Sequence, residues 1–319
     1  MKPTIAGLHH VTAICGDPNP NAHFYVELLG LRLVKYTVNH DDPTTPHLYY
    51  GDNRGTPGTN ITFFPWTSDK PRGRMGSGQT QDTAYLIRPA SLDYWRRRLE
   101  EQPLEIREFR RFDEIVLAVS DPDDINIELV ASPAADAAQV EPWSNSPVPE
   151  EHQLRGFHGV TLAITDLDPT RDLLTDILGY EAVARSSDRV RLQAPEKGPG
   201  SIVDLVQTER PRGRVARGSV HHVAFKVADA DEQTRLRRAL ADRGLRVTES
   251  IDRLYFRSIY CREPGGVLFE FATMGPGFTY DEAPGKLGSR LVLPEHLEGR
   301  RDEIEAGLPD FRPPELFRK

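Results

Sequence analysis

Short runs in which apolar and polar residues alternate, or β-branched and aromatic residues cluster, lie at 9–14, 31–36, 47–50 and 60–64, separated by turns rich in Gly, Pro, Asp or Asn. Runs of that length and pattern predict strands. Between the first two, residues 21–29 have helical character, with Asn19 or Asn21 available as a cap and Gly30 suited to the left-handed position that ends a helix. The order is βαβββ. It recurs in 80–131, with a strand at 83–87, a helix at 91–101 and a last strand at 125–130. It recurs again in 157–207, with a strand at 158–164, a helix at 169–178 closed by Gly179, and a last strand at 202–206. The fourth instance, 219–273, has a strand at 221–227, a helix at 231–243 closed by Gly244, and strands at 245–249, 255–262 and 267–273. Internal repetition marks duplicated units, so the pattern predicts an α+β protein of four βαβββ modules.

Stretch 132–155, rich in Ala, Pro, Glu and Ser, reads as a linker between two pairs of modules. It divides the chain into an N-terminal domain, 1–131, and a C-terminal domain, 156–273. A charged tail with several prolines, 274–319, follows, with a short helix expected at 294–306 and otherwise an extended arm packed on a domain or a neighbouring subunit. A length of 319 residues fits two domains at ~100–200 residues each.

No apolar run approaches the ~20 residues of a membrane span, and residues 1–4 lead into the first strand without the apolar stretch of a secretory signal; a cytoplasmic location is expected. Two cysteines, Cys15 and Cys261, cannot build a disulfide framework and are expected as buried, reduced thiols. A net charge of −8 without a sustained basic run argues against nucleic acid or anionic membrane as partner. Arg96-Arg97-Arg98 reads as the solvated face of a helix. A homo-oligomer is left open as a partner, since nothing in the sequence sets the oligomeric state.

The candidate chemistry sits in two strands of the last module. Ser219-Val220-His221-His222-Val223 carries a histidine pair, and Val267-Leu268-Phe269-Glu270-Phe271-Ala272 is an apolar strand broken by one carboxylate. Near the N-terminus, Leu8-His9-His10-Val11-Thr12 repeats the His-His-Val signature. Two imidazoles and a carboxylate form the facial set that holds non-haem Fe(II) and leaves positions open for substrate and O₂. A strand alternates faces, so only one histidine of each pair can readily point at a metal.

The βαβββ module with ligands on its first and last strands resembles the vicinal-oxygen-chelate superfamily of glyoxalases, extradiol dioxygenases and antibiotic-resistance binding proteins. The resemblance implies two vicinal-oxygen-chelate domains with curved, mostly antiparallel sheets. Leu8-His9-His10-Val11-Thr12, Tyr49-Tyr50-Gly51-Asp52 with Gly55-Thr56-Pro57-Gly58-Thr59, and the stretch from Asp252 through Tyr260 to Glu270 resemble the ring-cleaving dioxygenases that act on hydroquinones. Carried over residue by residue, the resemblance implies His10, His222 and Glu270 as metal ligands, and His9, Thr12, His221, Arg253 and Tyr260 at the substrate. Fe(II) is the implied metal, with Mn(II) the alternative; an aromatic diol and O₂ are the implied partners.

Aligning the modules on one another adds a separate argument. Gly159 stands where His10 does, the second module has no histidine, Glu128 and Asp204 are carboxylates on the last strands of modules two and three, and the first module has Thr62-Phe63-Phe64 there. If modules one and four face each other, three ligands meet and coordination positions stay open. That favours dioxygen chemistry over a four-ligand glyoxalase-type isomerase or lyase and over a metal-free binding protein, the two alternative readings. Modules two and three would then form a structural pair. His23, His40, His47, His152 and His296 are expected to face solvent, and His158 to be a packed remnant of duplication.

Overall fold

The computed structural model describes residues 5–67 and 71–314; the ends of the N-terminal domain and of the tail expected out to residue 319 lie outside the described residues. Each module contributes four strands. The first gives β1 (Leu8–Cys15), β2 (Arg32–Asn39), β3 (Asp42–Gly51) and β4 (Asn60–Pro65), and the second β5 (Gln79–Ile87), β6 (Arg107–Arg111), β7 (Glu114–Ser120) and β8 (Asn126–Ala131). The third gives β9 (Phe157–Ile164), β10 (Glu181–Arg185), β11 (Arg189–Gln193) and β12 (Ile202–Gln207), and the fourth β13 (Ser219–Val227), β14 (Ile251–Asp252), β15 (Arg257–Arg262) and β16 (Leu268–Thr273).

The strands form two eight-stranded sheets, ordered β14-β15-β16-β13-β1-β4-β3-β2 and β10-β11-β12-β9-β5-β8-β7-β6. Modules one and four therefore share one sheet, and modules two and three the other. Within each module the first and last strands run parallel, and all other pairings, including the seams β1–β13 and β5–β9, are antiparallel. Each half of the chain, 1–131 and 156–273, gives one module to each sheet.

One face of each sheet belongs to a continuous apolar core that includes Val11, Phe63 and Phe225 of the first sheet and Leu117, Leu129 and Phe157 of the second. Alternation decides which face a residue serves. In β3, Leu48 and Tyr50 enter that core, while His47 and Tyr49 turn to the opposite face and line a cavity.

Several local expectations shift by a few residues. The first helix starts at Pro18 and is capped by Asp17, whose carboxylate accepts from Asn19 N, so neither Asn19 nor Asn21 is the cap; Pro at the first helical position makes the preceding residue the cap. Its second half, His23–Leu28, is π-helical. The strand expected at 245–249 is reduced to a single bridge, Val247 to Cys261. There the Thr248 hydroxyl accepts from Tyr260 N at 3.0 Å, so a side chain stands in for a ladder carbonyl. The strand expected at 255–262 starts at Arg257.

The tail lies on its own chain. A 3₁₀-helix at Glu295–Arg300 leads into an α-helix at Arg301–Gly307, and Val38 packs with Leu293, Leu297 and Ile304. Lys35 is fully buried, with its ammonium 2.6 Å from Asp281 and against Glu282. A buried cation is tolerated only with such partners, so this pairing fixes the tail to β2.

Candidate metal centre and cavity

Register brings the three candidate ligands together. His10 pairs with Ala224 across β1–β13, and Ala224 pairs with Glu270 across β13–β16. His222, two residues before Ala224, shares its face of the sheet. The small side chain at Ala224 leaves room between the three.

A bulge in each central strand turns the histidines onto that face. Leu8 pairs with Phe225 and His10 with Ala224, so β1 has one extra residue at His9; β13 has one at His221, between Val220 and His222. Leu8 and Val220 consequently face the core, while His10 and His222, two residues on, face the cavity. Bulges of this kind re-aim side chains.

His10 Nε2 and His222 Nε2 are 3.4 Å apart, and Glu270 Oε2 lies 3.4 Å from the first and 2.8 Å from the second. All three residues are buried, and one donor atom from each lies within 4.8 Å of the others. Among the described residues no other His, Cys, Asp or Glu trio meets that test. Burial pushes the Glu270 carboxyl up, yet His10 and His222 hold it well below the ordinary carboxylate range. Burial lowers His222, with Glu270 opposing.

The donor set fits a divalent transition metal. Glu270 Oε2 is buried without a hydrogen-bond partner of suitable geometry, while Oε1 accepts from the Ser258 hydroxyl. On the far side of each imidazole, Nδ1 of His10 is 2.9 Å from Nδ1 of His9, and Nδ1 of His222 is 2.8 Å from Nδ1 of His221. With Nδ1–H donated to the neighbouring ring, each Nε2 lone pair faces the shared point, as in the outer-shell support of metal-bound histidines. Two imidazoles and one carboxylate suit iron, manganese or zinc alike.

The cavity in front of this trio has a volume of about 370 Å³, within the range of small-molecule pockets. Of the five residues expected at the substrate, Thr12, His221, Arg253 and Tyr260 line it. His9 does not; it lies behind His10, edge-on to Phe256. Arg253 donates through Nε to the Tyr260 hydroxyl at 3.1 Å and pairs with Asp41 at 3.0 Å. Burial, and next to it Glu270, raises the Tyr260 phenol, which stays protonated. Leu254, next to Arg253, holds φ at 70°. A side chain with a Cβ is strained there, at a cost of about 1–3 kcal/mol, and Asp252 tethers the turn by accepting from Leu254 N at 2.8 Å.

His40 and His47 also line the cavity, contrary to the expectation that they face solvent. His47 Nε2 is 2.9 Å from Thr62 Oγ1, and its Nδ1 is 2.9 Å from the Tyr49 hydroxyl. The signal in the sequence was the alternation His47-Leu48-Tyr49-Tyr50, whose odd members share a face. His152 is likewise packed, stacked on Tyr94 at 4.2 Å.

The second sheet holds the same positions with other chemistry. Glu128 and Asp204 stand opposite Ala84 and Thr161, as Glu270 does opposite Ala224. Arg111 grips Glu128 through both terminal nitrogens at 2.5 and 2.7 Å, and Arg191 and Arg189 hold Asp204. His158 contacts Glu114, which also pairs with Arg191. At Gly159, in the place of His10, even a Cβ would fall 2.1 Å from the Ile202 carbonyl oxygen. Arginines there neutralise the carboxylates that a cation would otherwise need.

The profile of the glyoxalase/bleomycin resistance protein/dioxygenase superfamily matches residues 7–129 and 152–271. The chain belongs to this superfamily. Among its relatives in the superfamily, MhqO of Bacillus subtilis, provisionally named a ring-cleaving dioxygenase, is 41% identical, with 99% of this chain and 100% of the relative aligned. The chlorohydroquinone/hydroquinone 1,2-dioxygenase of Sphingobium indicum is 35% identical over 94% of this chain and 95% of its own. A crystal structure from Bacillus subtilis, provisionally titled a dioxygenase, superposes with a TM-score of 0.91 at 40% identity, covering 97% of this chain and 98% of that one. The superfamily fold of paired βαβββ modules accounts for the architecture, since both sheets join modules through their first strands. The described helices include none long and apolar enough to cross a membrane.

Proposed function

We propose that the protein is a ring-cleaving dioxygenase acting on a hydroquinone- or catechol-type ring, with Fe(II) held by His10, His222 and Glu270. The observation that carries this reading is at Thr62. Thr62 pairs with Thr12 as Glu270 pairs with Ala224, so it occupies the position where a fourth ligand would stand. Its hydroxyl is committed to Thr12 at 2.8 Å and His47 at 2.9 Å. Three protein donors rather than four leave adjacent positions for a diol oxygen and O₂.

Ferrous iron bound there would supply the redox chemistry toward O₂ that protein side chains lack. Around that point the chain's own residues match the needs of an electron-rich ring. Phe64 and Phe256 give apolar walls, Arg253 gives a fixed cation for a substrate oxygen bearing negative charge, and Tyr260 offers a proton. His9 from behind and His221 from the cavity wall hold the two imidazoles in orientation. The name of the Bacillus subtilis relative supports ring cleavage, and that of the Sphingobium indicum relative supports a hydroquinone as the ring.

The test is metal analysis of the purified protein, anaerobic loading with Fe(II) or Mn(II), and O₂ uptake with a panel of hydroquinones and catechols. One O₂ consumed per ring with one metal supports the reading and identifies the ion. Isomerisation of methylglyoxal–thiol adducts without O₂ uptake overturns it.

A further inference from the structure

The hydrogen bonds that occupy the Thr62 hydroxyl continue along the cavity wall as a chain. Thr12 Oγ1 is 2.8 Å from Thr62 Oγ1, Thr62 Oγ1 is 2.9 Å from His47 Nε2, and His47 Nδ1 is 2.9 Å from the Tyr49 hydroxyl. Thr12, His47 and Tyr49 all border the cavity. Thr12 is also the cross-strand partner of His222, so the chain begins beside the candidate metal centre. The imidazole is clamped between Tyr49, with ring centroids 4.0 Å apart, and Phe64, at 4.3 Å.

We propose that His47 stores a hydroxyl proton of the substrate, delivered to it through Thr12 and Thr62. The proposal rests on the ring-cleaving reading, because it needs a hydroxyl-bearing substrate in this cavity. His47 acts through the two threonines and is a positioning residue for that proton; it need not touch the reacting ring.

The step balances without an oxidant. The substrate O–H bond breaks and its proton bonds to Thr12 Oγ1, as the Thr12 proton passes to Thr62 Oγ1 and the Thr62 proton to His47 Nε2. The electron pair of the broken bond stays on the substrate oxygen, leaving a phenolate and an imidazolium whose Nδ1–H donates to Tyr49. The two contacts that the proton crosses within the protein, 2.8 and 2.9 Å, are ordinary hydrogen-bond distances.

Around His47 the titratable groups are His40 on its own hairpin, Tyr49 beside it, and His10, His222 and Glu270 across the cavity. Burial, and then His40, presses the His47 pKa well below its ordinary value, so the ring is neutral with a lone pair free at neutral pH. It takes a proton only as the phenolate forms, because the new negative charge offsets the burial that otherwise forbids an imidazolium.

The test compares the Fe(II)-loaded wild type with His47→Gln and Thr62→Val. Under anaerobic conditions, nitrohydroquinone, whose ionisation is visible, is bound in weak buffer with a pH indicator that counts protons released. Both variants are expected to release one proton more per bound probe than the wild type, at unchanged metal content. Thr62→Val is informative because it leaves His47 in the chain and cuts only the path. In air, turnover should fall about 10²-fold or more in both, and added imidazole should restore part of it to His47→Ala. Equal proton counts, or full turnover in both variants beside an active wild type, overturn the relay alone. A wild type that neither binds the probe nor consumes O₂ overturns the ring-cleaving reading and the relay with it.

Discussion

His10 and His222 are not cross-strand partners, yet their Nε2 atoms stand 3.4 Å apart. His10 pairs with Ala224 and His222 with Thr12, so the two rings meet on the diagonal of the β1–β13 seam, each just past a bulge at its neighbouring histidine. The seam therefore joins two copies of one device, and Glu270 breaks the symmetry by appearing on only one side.

Three lone-pair donors converging in a buried space repel one another unless a cation is shared, which predicts one divalent transition metal per chain. Replacing His10, His222 or Glu270 with Ala should abolish its retention, as read by elemental analysis. Ser258→Ala, which removes the hydroxyl bonded to Glu270, should weaken affinity by about 10–100-fold. Two tightly held metals, or full retention in any of the three Ala variants, would show that another site holds the ion.

Glu128→Gln and Asp204→Asn should leave metal content untouched and lower stability instead. Both carboxylates are buried in arginine pairs on the second sheet. Removing one partner of a buried pair costs about 3–5 kcal/mol, read as a drop in thermal midpoint. Metal loss from a folded variant would contradict the assignment of the second sheet to structure alone.

The module order and the histidine pairs were legible because each is a local pattern: period-two runs, one helix closed by glycine, and His-His-Val at the start of two strands. The alignment of Gly159 with His10 also survived translation into register, and register narrows the ligand-free Thr62-Phe63-Phe64 stretch to Thr62 as the counterpart of Glu270. What could not be read was the use of the cavity-facing half of β3. His47 was expected to face solvent because alternation says which residues share a face, and nothing local distinguishes a strand face lined by Thr62 from one open to water. His9 turns on a different feature. Plain alternation puts it opposite His10, and the bulge, which sequence does not announce, decides that it supports its neighbour from behind.

Stability should fall in acid through Glu114. Burial raises this carboxyl, but hydrogen bonds and charge from His158 and Arg191 hold it at about 2. The unfolded chain protonates it at about 4.3. A folded pKa below the unfolded one contributes stability that is complete above the unfolded value and is lost as pH falls through the window from about 4 to about 2. Denaturant titrations across that window should show wild type losing stability more steeply than Glu114→Gln. Parallel curves would mean the pairing does not persist in solution.

Tyr260 is the side chain whose chemistry can be isolated with least disturbance. It is the cross-strand partner of Glu270 on β15, and its ring lies edge-on to His222 at 6.0 Å. Its oxygen accepts from Arg253 Nε, which leaves the phenolic proton free to point into the cavity. Burial and the Glu270 charge keep that proton in place across the working pH range, so the group serves as an acid and not as a resting base. Removing only the hydroxyl, in Tyr260→Phe, keeps the ring beside His222 and leaves Arg253 held by Asp41. Turnover should drop by about 10²–10⁴-fold, the usual contribution of a positioned acid, while metal content and thermal midpoint stay at wild-type values. If Tyr260→Phe instead loses its metal, the hydroxyl's role is to hold the Glu270 side of the site together; if turnover is unchanged, the proton comes from elsewhere on the cavity wall.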